Sequence, residues 1–475
     1  MTTLCDLPAT EQAALLRRGE LSARELLADS LARIEATNDS VNAIVTLDAE
    51  GAERAASVAD QAHAAGRLLG PLHGLTLGIK DLHATAGMRT TMGSPVFADR
   101  VPDTDELLVA RMRAAGAVIV GKTNTPEFGA GSHTFNAVFG LTRNPYALEK
   151  SAGGSSGGSA VALACGMVSL ADGSDMGGSL RNPASFCNVV GHRPSAGRVP
   201  TWPTQDPWFT LPVQGPMGRT VADAALLLSV QAGPDPRVSM ALPEPGSIFL
   251  GALPTRLDGM RIALSHNLGG AVVVDDEVAA VVDAQAEVLS ELGATVVRDC
   301  VDFTGAREVF LTMRALNYLQ LFGALVESAP QLVKATVQSD VARGRELTGS
   351  DVARAYGLRA ALYNRVQAFF AEYDALVLPS CQTVPFDADL EYPASVGGVP
   401  TVDYLGWMQA AYLVSVTECP ATDVPAGFSA DGLPIGVQVV APHRDDLRAL
   451  GIAHAMEQLT RAGDRLPGIV TALSS

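Results

Sequence analysis

Residues 151–181 read SAGGSSGGSAVALACGMVSLADGSDMGGSLR. Two glycine-serine loops, Gly153 to Ser159 and Gly173 to Ser179, flank one apolar stretch. Between them, residues 160–167 are apolar nearly all round, the pattern of a helix buried on every side. Glycine lets the backbone take left-handed or crowded conformations that a Cβ would block. Two such loops at the ends of one buried element can bring Ser155 and Ser179 to a single spot. Their N–H groups could then face a developing negative charge. A flexible Gly/Ser linker is the competing reading, but linkers do not enclose a strongly apolar helix.

The rest of the chain can bury such an element. It has 475 residues, of which 47% are hydrophobic and 18% charged, enough for a large core. A net charge of −17 argues against nucleic acid as a direct partner, because an acidic surface repels phosphate. Six scattered cysteines include no CxxC pair, so neither a zinc knuckle nor a disulfide framework is expected. Cys165 and Cys187 read as core fillers. The N-terminus shows no basic region leading into an apolar run, and no stretch reads as long enough to span a bilayer. The expected setting is a reducing cytoplasm, with no membrane partner.

Working outward, residues 7–36 read as two amphipathic helices, with Thr10 capping the first. Ser22 and Glu25 have the spacing of a capping box on the second. Residues 70–81 read as an apolar, glycine-bearing strand that ends on Lys80. An interior strand-end lysine loses its charge preference by desolvation and can serve as a base; a surface lysine is the alternative. Residues 116–123, GAVIVGKT, match the phosphate-loop pattern GxxxxGK[ST]. Their four variable positions form an apolar β run, not a loop, so nucleotide binding is not expected. Asn124 to Gly129 then lie at a strand's carboxyl end, where α/β sheets carry their sites.

After the central stretch, Trp202, Trp208 and Phe209 are aromatic candidates for a pocket wall, or for packing under a long loop. Residues 232–259 read as a crossover between two halves. Residues 305–373 read as a helical excursion and a candidate cover over the site. Residues 421–428 and 435–440 are strands joined by a turn. The element order is that of an α/β fold: one domain over residues 1–475, with a large mixed, mostly parallel sheet between helices on both faces.

Gly153-Gly154-Ser155-Ser156-Gly157 also satisfies GxSxG. That motif needs a strand running into the serine, and residues 144–150 read instead as a proline-bearing loop. None of the eight histidines falls in a partner motif, and His443 reads as a helix cap. A lysine base suits the chain better.

GGSSGGS, DMGGSLR after the buried helix and GIKD upstream resemble the amidase signature family. The resemblance extends to GKTN, GPMGRTVADAALLL and PAGFSADGLPIGVQVVAP, and so to nearly the whole chain. It implies the family's fold and a Ser–cis-Ser–Lys triad. Ser179 matches the nucleophile, Ser155 the bridging serine on a cis peptide, and Lys80 the base. Met176, Gly177, Gly178 and Ser179 match the oxyanion hole, with Ser156, Asp175 and Arg181 supporting. Asn124, Phe128, Trp202, Trp208 and Phe209 are the candidate substrate-binding residues. No metal or cofactor is implied. The expected activity is C–N hydrolysis of a small amide or carbamate, by a monomer or homodimer. The sequence departs from the family at Gly191-His192-Arg193-Pro194, where an aliphatic residue and lysine are common, and at Asn124-Thr125-Pro126-Glu127. An amidotransferase A-type subunit passing ammonia to a partner, an esterase using Ser155 and a silent scaffold are the other readings.

Overall fold

The computed structural model describes residues 4–473. One eleven-stranded sheet runs through both halves of the chain. Its strands are β1 (Ile44–Leu47), β2 (Thr76–Lys80), β3 (Val118–Thr123), β4 (Leu170–Asp175), β5 (Val190–Arg193), β6 (Val213–Gly218), β7 (Arg261–Leu264), β8 (Thr295–Arg298), β9 (Ala375–Pro379), β10 (Ala421–Phe428) and β11 (Pro434–Val440). They lie side by side in the order β1-β3-β2-β4-β6-β5-β10-β11-β9-β7-β8.

The sheet is mixed, as expected, but its parallel majority is not found. Four neighbour pairings are parallel. Six are antiparallel. Helical crossovers make the parallel pairs, as between β7 and β8, where the helix Asp276–Glu291 intervenes. The middle of the sheet uses other connections, including the β10–β11 hairpin, which the short turn at Ser429 to Gly432 closes.

β2, β3 and β6 are buried along their whole length, as strands covered on both faces must be. All eight residues of the helix Gly157–Ala164 are buried, which its all-round apolar sequence requires. A Cβ on Gly158 would lie 2.2 Å from the Asn124 nitrogen, so glycine is what lets this helix lie against the loop after β3. The capping box at Ser22 forms, with Ser22 N donating to Glu25 Oε2 at 2.9 Å.

Other local expectations shift. Pro8, not Thr10, precedes the first helix, and the Thr10 N–H donates to Asp223. Asp445 caps the last long helix, while His443 lies 3.8 Å from Glu418. Residues Ala147–Ser151 form a short strand after all, paired with Arg143–Asn144 in a separate two-stranded ladder outside the main sheet. The helix Ala306–Ser328 is long and apolar enough to cross a membrane by length and composition, contrary to the sequence reading. More than half of its apolar window is buried inside the fold.

Candidate active site

Lys80 ends β2 and is wholly buried. Its Nζ donates to Ser155 Oγ at 2.8 Å, Ser156 Oγ at 2.9 Å and Ser174 Oγ at 3.0 Å. Burial lowers its pKa to about 7, although the carboxylates of Asp172 and Asp175 pull the other way. Near neutral pH a substantial share of this amine is therefore uncharged and able to accept a proton. The Gly154–Ser155 peptide is cis.

The two glycine loops meet here. Ser156 N donates to the Ser179 carbonyl at 3.1 Å. Gly178 takes φ +114°, and a Cβ there would fall 2.5 Å from Ala411 Cβ, so this turn needs glycine twice over. Asp175 holds the turn from within. Its carboxylate accepts from Gly178 N at 2.8 Å, Leu180 N at 3.2 Å, both Arg181 Nε and Nη2 at 3.0 Å, and Arg193 Nη1 at 3.1 Å. Burial alone would raise the Asp175 pKa, but Arg181 and Arg193 overcome it and hold the carboxyl well below the usual range. Arg181 also donates to Ala411 O, Gln438 Oε1 and Ser415 Oγ, tying the turn to the second half of the chain.

The Gly178 N–H is thus committed to Asp175 and does not face a reacting group. The N–H groups of Met176, Gly177 and Ser179 have no acceptor among the described residues.

Ser155, Ser174, Met176, Gly177 and Ser179 line one side of a cavity of about 320 Å³. That size suits a small organic ligand. Phe128 and Phe209 line it too, and Phe128 stacks on Phe322 with centroids 4.6 Å apart. Three sequence candidates lie elsewhere. Asn124 is spent on structure, donating to Gly140 O and Thr142 Oγ1 and accepting from Thr125 N and Asn136 Nδ2. Trp208 is 74% exposed and Trp202 37% exposed, and neither reaches the cavity. Both sit on a proline-bearing loop whose other residues, among them Phe209, form the wall.

Sequence reasoning took residues 305–373 as a candidate cover but named none of the residues that line the cavity there. Phe310, Arg314, Asn317, Tyr318, Leu321 and Phe322 line the cavity from the helix Ala306–Ser328. Their spacing of three and four marks one helical face, the signal that could have found them. It also missed Ser174, and His83, whose Nδ1 bonds Asp172 while Asp172 Oδ1 accepts from Lys80 N at 2.7 Å. Lys122 of the GAVIVGKT segment is buried in β3 and donates to His83 O and Thr85 Oγ1, so it presents nothing to a phosphate.

Residues 25–450 match the family model described as Amidase. The chain belongs to the amidase signature family. An acylamidase from Rhodococcus erythropolis is 35% identical over 468 residues, covering 97% of this chain and 97% of the relative. The A-type subunit of the glutamyl-tRNA(Gln) amidotransferase from Synechococcus sp. (strain CC9605) is 38% identical over 471 residues, covering 93% and 94%. Among solved structures, a bacterial aryl acylamidase of the amidase signature family superposes with a TM-score of 0.90 at 27% identity, covering 97% of this chain and 98% of that one. As a member of this amidase family, the chain is an amide C–N hydrolase.

Proposed function

We propose that this amidase cleaves small neutral amides or carbamates through an acyl-enzyme on Ser179, with Ser155 and Lys80 as its proton relay. The observation that carries the reading is the buried Lys80 amine in contact with Ser155 Oγ beside a cavity that Ser179 also lines. Ser179 Oγ attacks the carbonyl carbon as its proton passes to Ser155 and the Ser155 proton to neutral Lys80. The carbonyl oxygen becomes an oxyanion facing the N–H groups of the Met176, Gly177 and Ser179 loop, each such donor worth about 3–4 kcal/mol. The C–N bond then breaks and the relay returns a proton to the departing nitrogen. Water attacks the remaining ester by the same route, giving the acid and free Ser179. The family's oxyanion loop enters this reading without Gly178, whose N–H Asp175 holds.

The aromatic walls favour an apolar or aryl substrate. Relatives named acylamidase and aryl acylamidase support the same class. The chain would act as a monomer or homodimer. All six cysteines are free thiols, which supports a reducing cytoplasm. An amidotransferase A-type role is the second reading, favoured by the 38% identical relative. The test is hydrolysis by the purified chain alone of an aryl acetamide, an aryl carbamate and an aliphatic amide. Turnover of the aryl amide without partner chains is expected. No turnover of any of them, with activity appearing only on adding amidotransferase partners, would overturn the proposal.

A further inference from the structure

Behind Lys80 lies a buried pair that the chemistry above does not use. The pairing of β2 with β4 ends at Gly78 and Ala171, and beyond it the Asp172 side chain takes over. Its Oδ1 accepts from Lys80 N at 2.7 Å, and its Oδ2 is bonded to His83 Nδ1. A carboxylate only accepts, so the proton between them sits on Nδ1. Both partners are pinned from behind. The Asp172 carbonyl accepts from Ser159 Oγ at 2.8 Å, and His83 N donates to Lys80 O at 3.0 Å. Asp172 is wholly buried, while His83 is buried and lines the cavity.

Both Asp172 oxygens are thus spent away from the Lys80 amine, whose own contacts are the hydroxyls of Ser155, Ser156 and Ser174. Two carboxylates favour the ammonium form of Lys80, Asp172 first and Asp175 second. Arg181 and Arg193 offset Asp175, whereas Asp172 leans on His83. The other charges around the pair are engaged elsewhere. Asp81 accepts from Thr91 N and Oγ1. Lys122, which burial brings down to about 8, donates to His83 O and Thr85 Oγ1, with Glu106 and Arg100 beyond it. An anion anchored on the lysine's own backbone N–H, if left one donor short in the interior, gains by pairing with the ammonium form of that lysine. The base would then be held as a spectator cation.

We propose that His83 is a positioning residue of this reaction: its Nδ1–H holds the Asp172 carboxylate off the Lys80 amine and leaves that amine free to take the Ser155 proton. The proposal rests on the reading of Lys80 as the base. His83 moves no proton of the substrate; it acts through Asp172.

The test is the rate of fluorophosphonate labelling of the full-length protein from about pH 5.5 to 9.5, with a melt of each variant. Wild type should show a rising limb near pH 7. In His83→Leu that limb is expected about one pH unit higher, so the rate falls about tenfold at pH 6 and recovers by pH 9. His83→Gln, whose amide sits at the Nε2 position, gives the same readout should the leucine variant not fold. His83→Asn places an N–H where Nδ1–H was and should return the limb towards wild type. Asp172→Asn keeps an oxygen for Lys80 N but removes the charge, so its limb should move down. A His83→Leu limb that stays or moves down, no rescue by asparagine, or an Asp172→Asn limb that moves up would each overturn the proposal. So would a fall of equal size at every pH, which is what a purely structural histidine gives. The limb should persist in Lys122→Met; its loss there would assign it to Lys122 and overturn the proposal too. Lys80→Met tells the two readings apart. If it labels at the wild-type rate, the lysine-base reading and this proposal fall together; if it is inert and the His83→Leu limb does not move, the His83 assignment falls alone.

Discussion

The Ser156 N–H donates to the Ser179 carbonyl at 3.1 Å, so the two glycine-serine loops are fastened backbone to backbone. Ser155, the residue before that clasp, contacts Lys80, and Ser179 supplies its other half. Lys80, Ser155 and Ser179 are 75 and 24 residues apart in sequence, yet this clasp and the Lys80–Ser155 hydrogen bond bring them to one place. The proposed chemistry depends on that clasp.

Replacing Ser179 by alanine should abolish covalent labelling by a fluorophosphonate and nearly all turnover, with the melting temperature within a few degrees of wild type. Mass spectrometry of the labelled wild-type peptide locates the adduct. An adduct on Ser155 would move the nucleophile and favour the esterase reading.

Activity should rise with pH through about 7, because the neutral Lys80 amine is the reactive form. The same depressed value governs stability. Below about pH 7 Lys80 is charged in both states, and folding bears the full cost of burying an ammonium ion. As pH rises from there towards the unfolded value of about 10.4, the folded state is neutral while the unfolded one still holds its proton. The cost is relieved across that window. Lys80→Met should therefore be inactive, and its stability advantage over wild type should be largest below pH 7 and shrink by pH 10. Denaturant melts of both proteins at pH 6, 8 and 10 check the sign; an advantage that grows with pH contradicts it.

Asp175→Asn should leave Arg181 and Arg193 buried without a counter-charge. Breaking such a pair costs about 3–5 kcal/mol, read as a shift in the urea midpoint. Turnover should fall with it, since the turn carrying Ser179 hangs on that carboxylate. Loss of turnover with unchanged stability would show that the Asp175 cluster does not hold the fold.

A dicarboxylic monoamide should be a poor substrate. Among the described residues the one arginine lining the cavity, Arg314, is paired with Asp340, and Arg181 and Arg193 are committed to Asp175. Its kcat/KM should fall below that of an aryl acetamide by about tenfold or more. If it wins instead, by more than the roughly 200-fold that one methylene explains, Arg314 reads carboxylates and the neutral-substrate proposal is wrong.

The floor of the site was legible because it is local in sequence. Ser155, Ser179 and Asp175 fall within one stretch, and Lys80 ends a strand with an interior composition. The walls were not. Trp208 is a large aromatic on a loop, and nothing in its neighbours tells whether it points inward; its 74% exposure was set by the path of that loop. Asn124 has the chemistry of a ligand contact, but four internal hydrogen bonds consume it. Arg314 and Asn317 sit more than a hundred residues after Ser179, and only the packing of their helix over the cavity brings them in. The balance of parallel and antiparallel strands was equally hidden, since it depends on which distant strands become neighbours. Arg193 illustrates the converse: an unusual residue at a turn whose direction could not be read proves to be a structural partner of Asp175.

The cavity takes its floor from Lys80's neighbourhood and residues 151–181, and one of its walls from residues 310–322 of a single helix. That division makes substrate range separable from reactivity. A library of variants at six positions, encoded on one oligonucleotide, would redraw the wall and leave the clasp, the buried amine and the Asp175 cluster untouched. Natural or laboratory selection for a new amide can therefore work on thirteen consecutive codons.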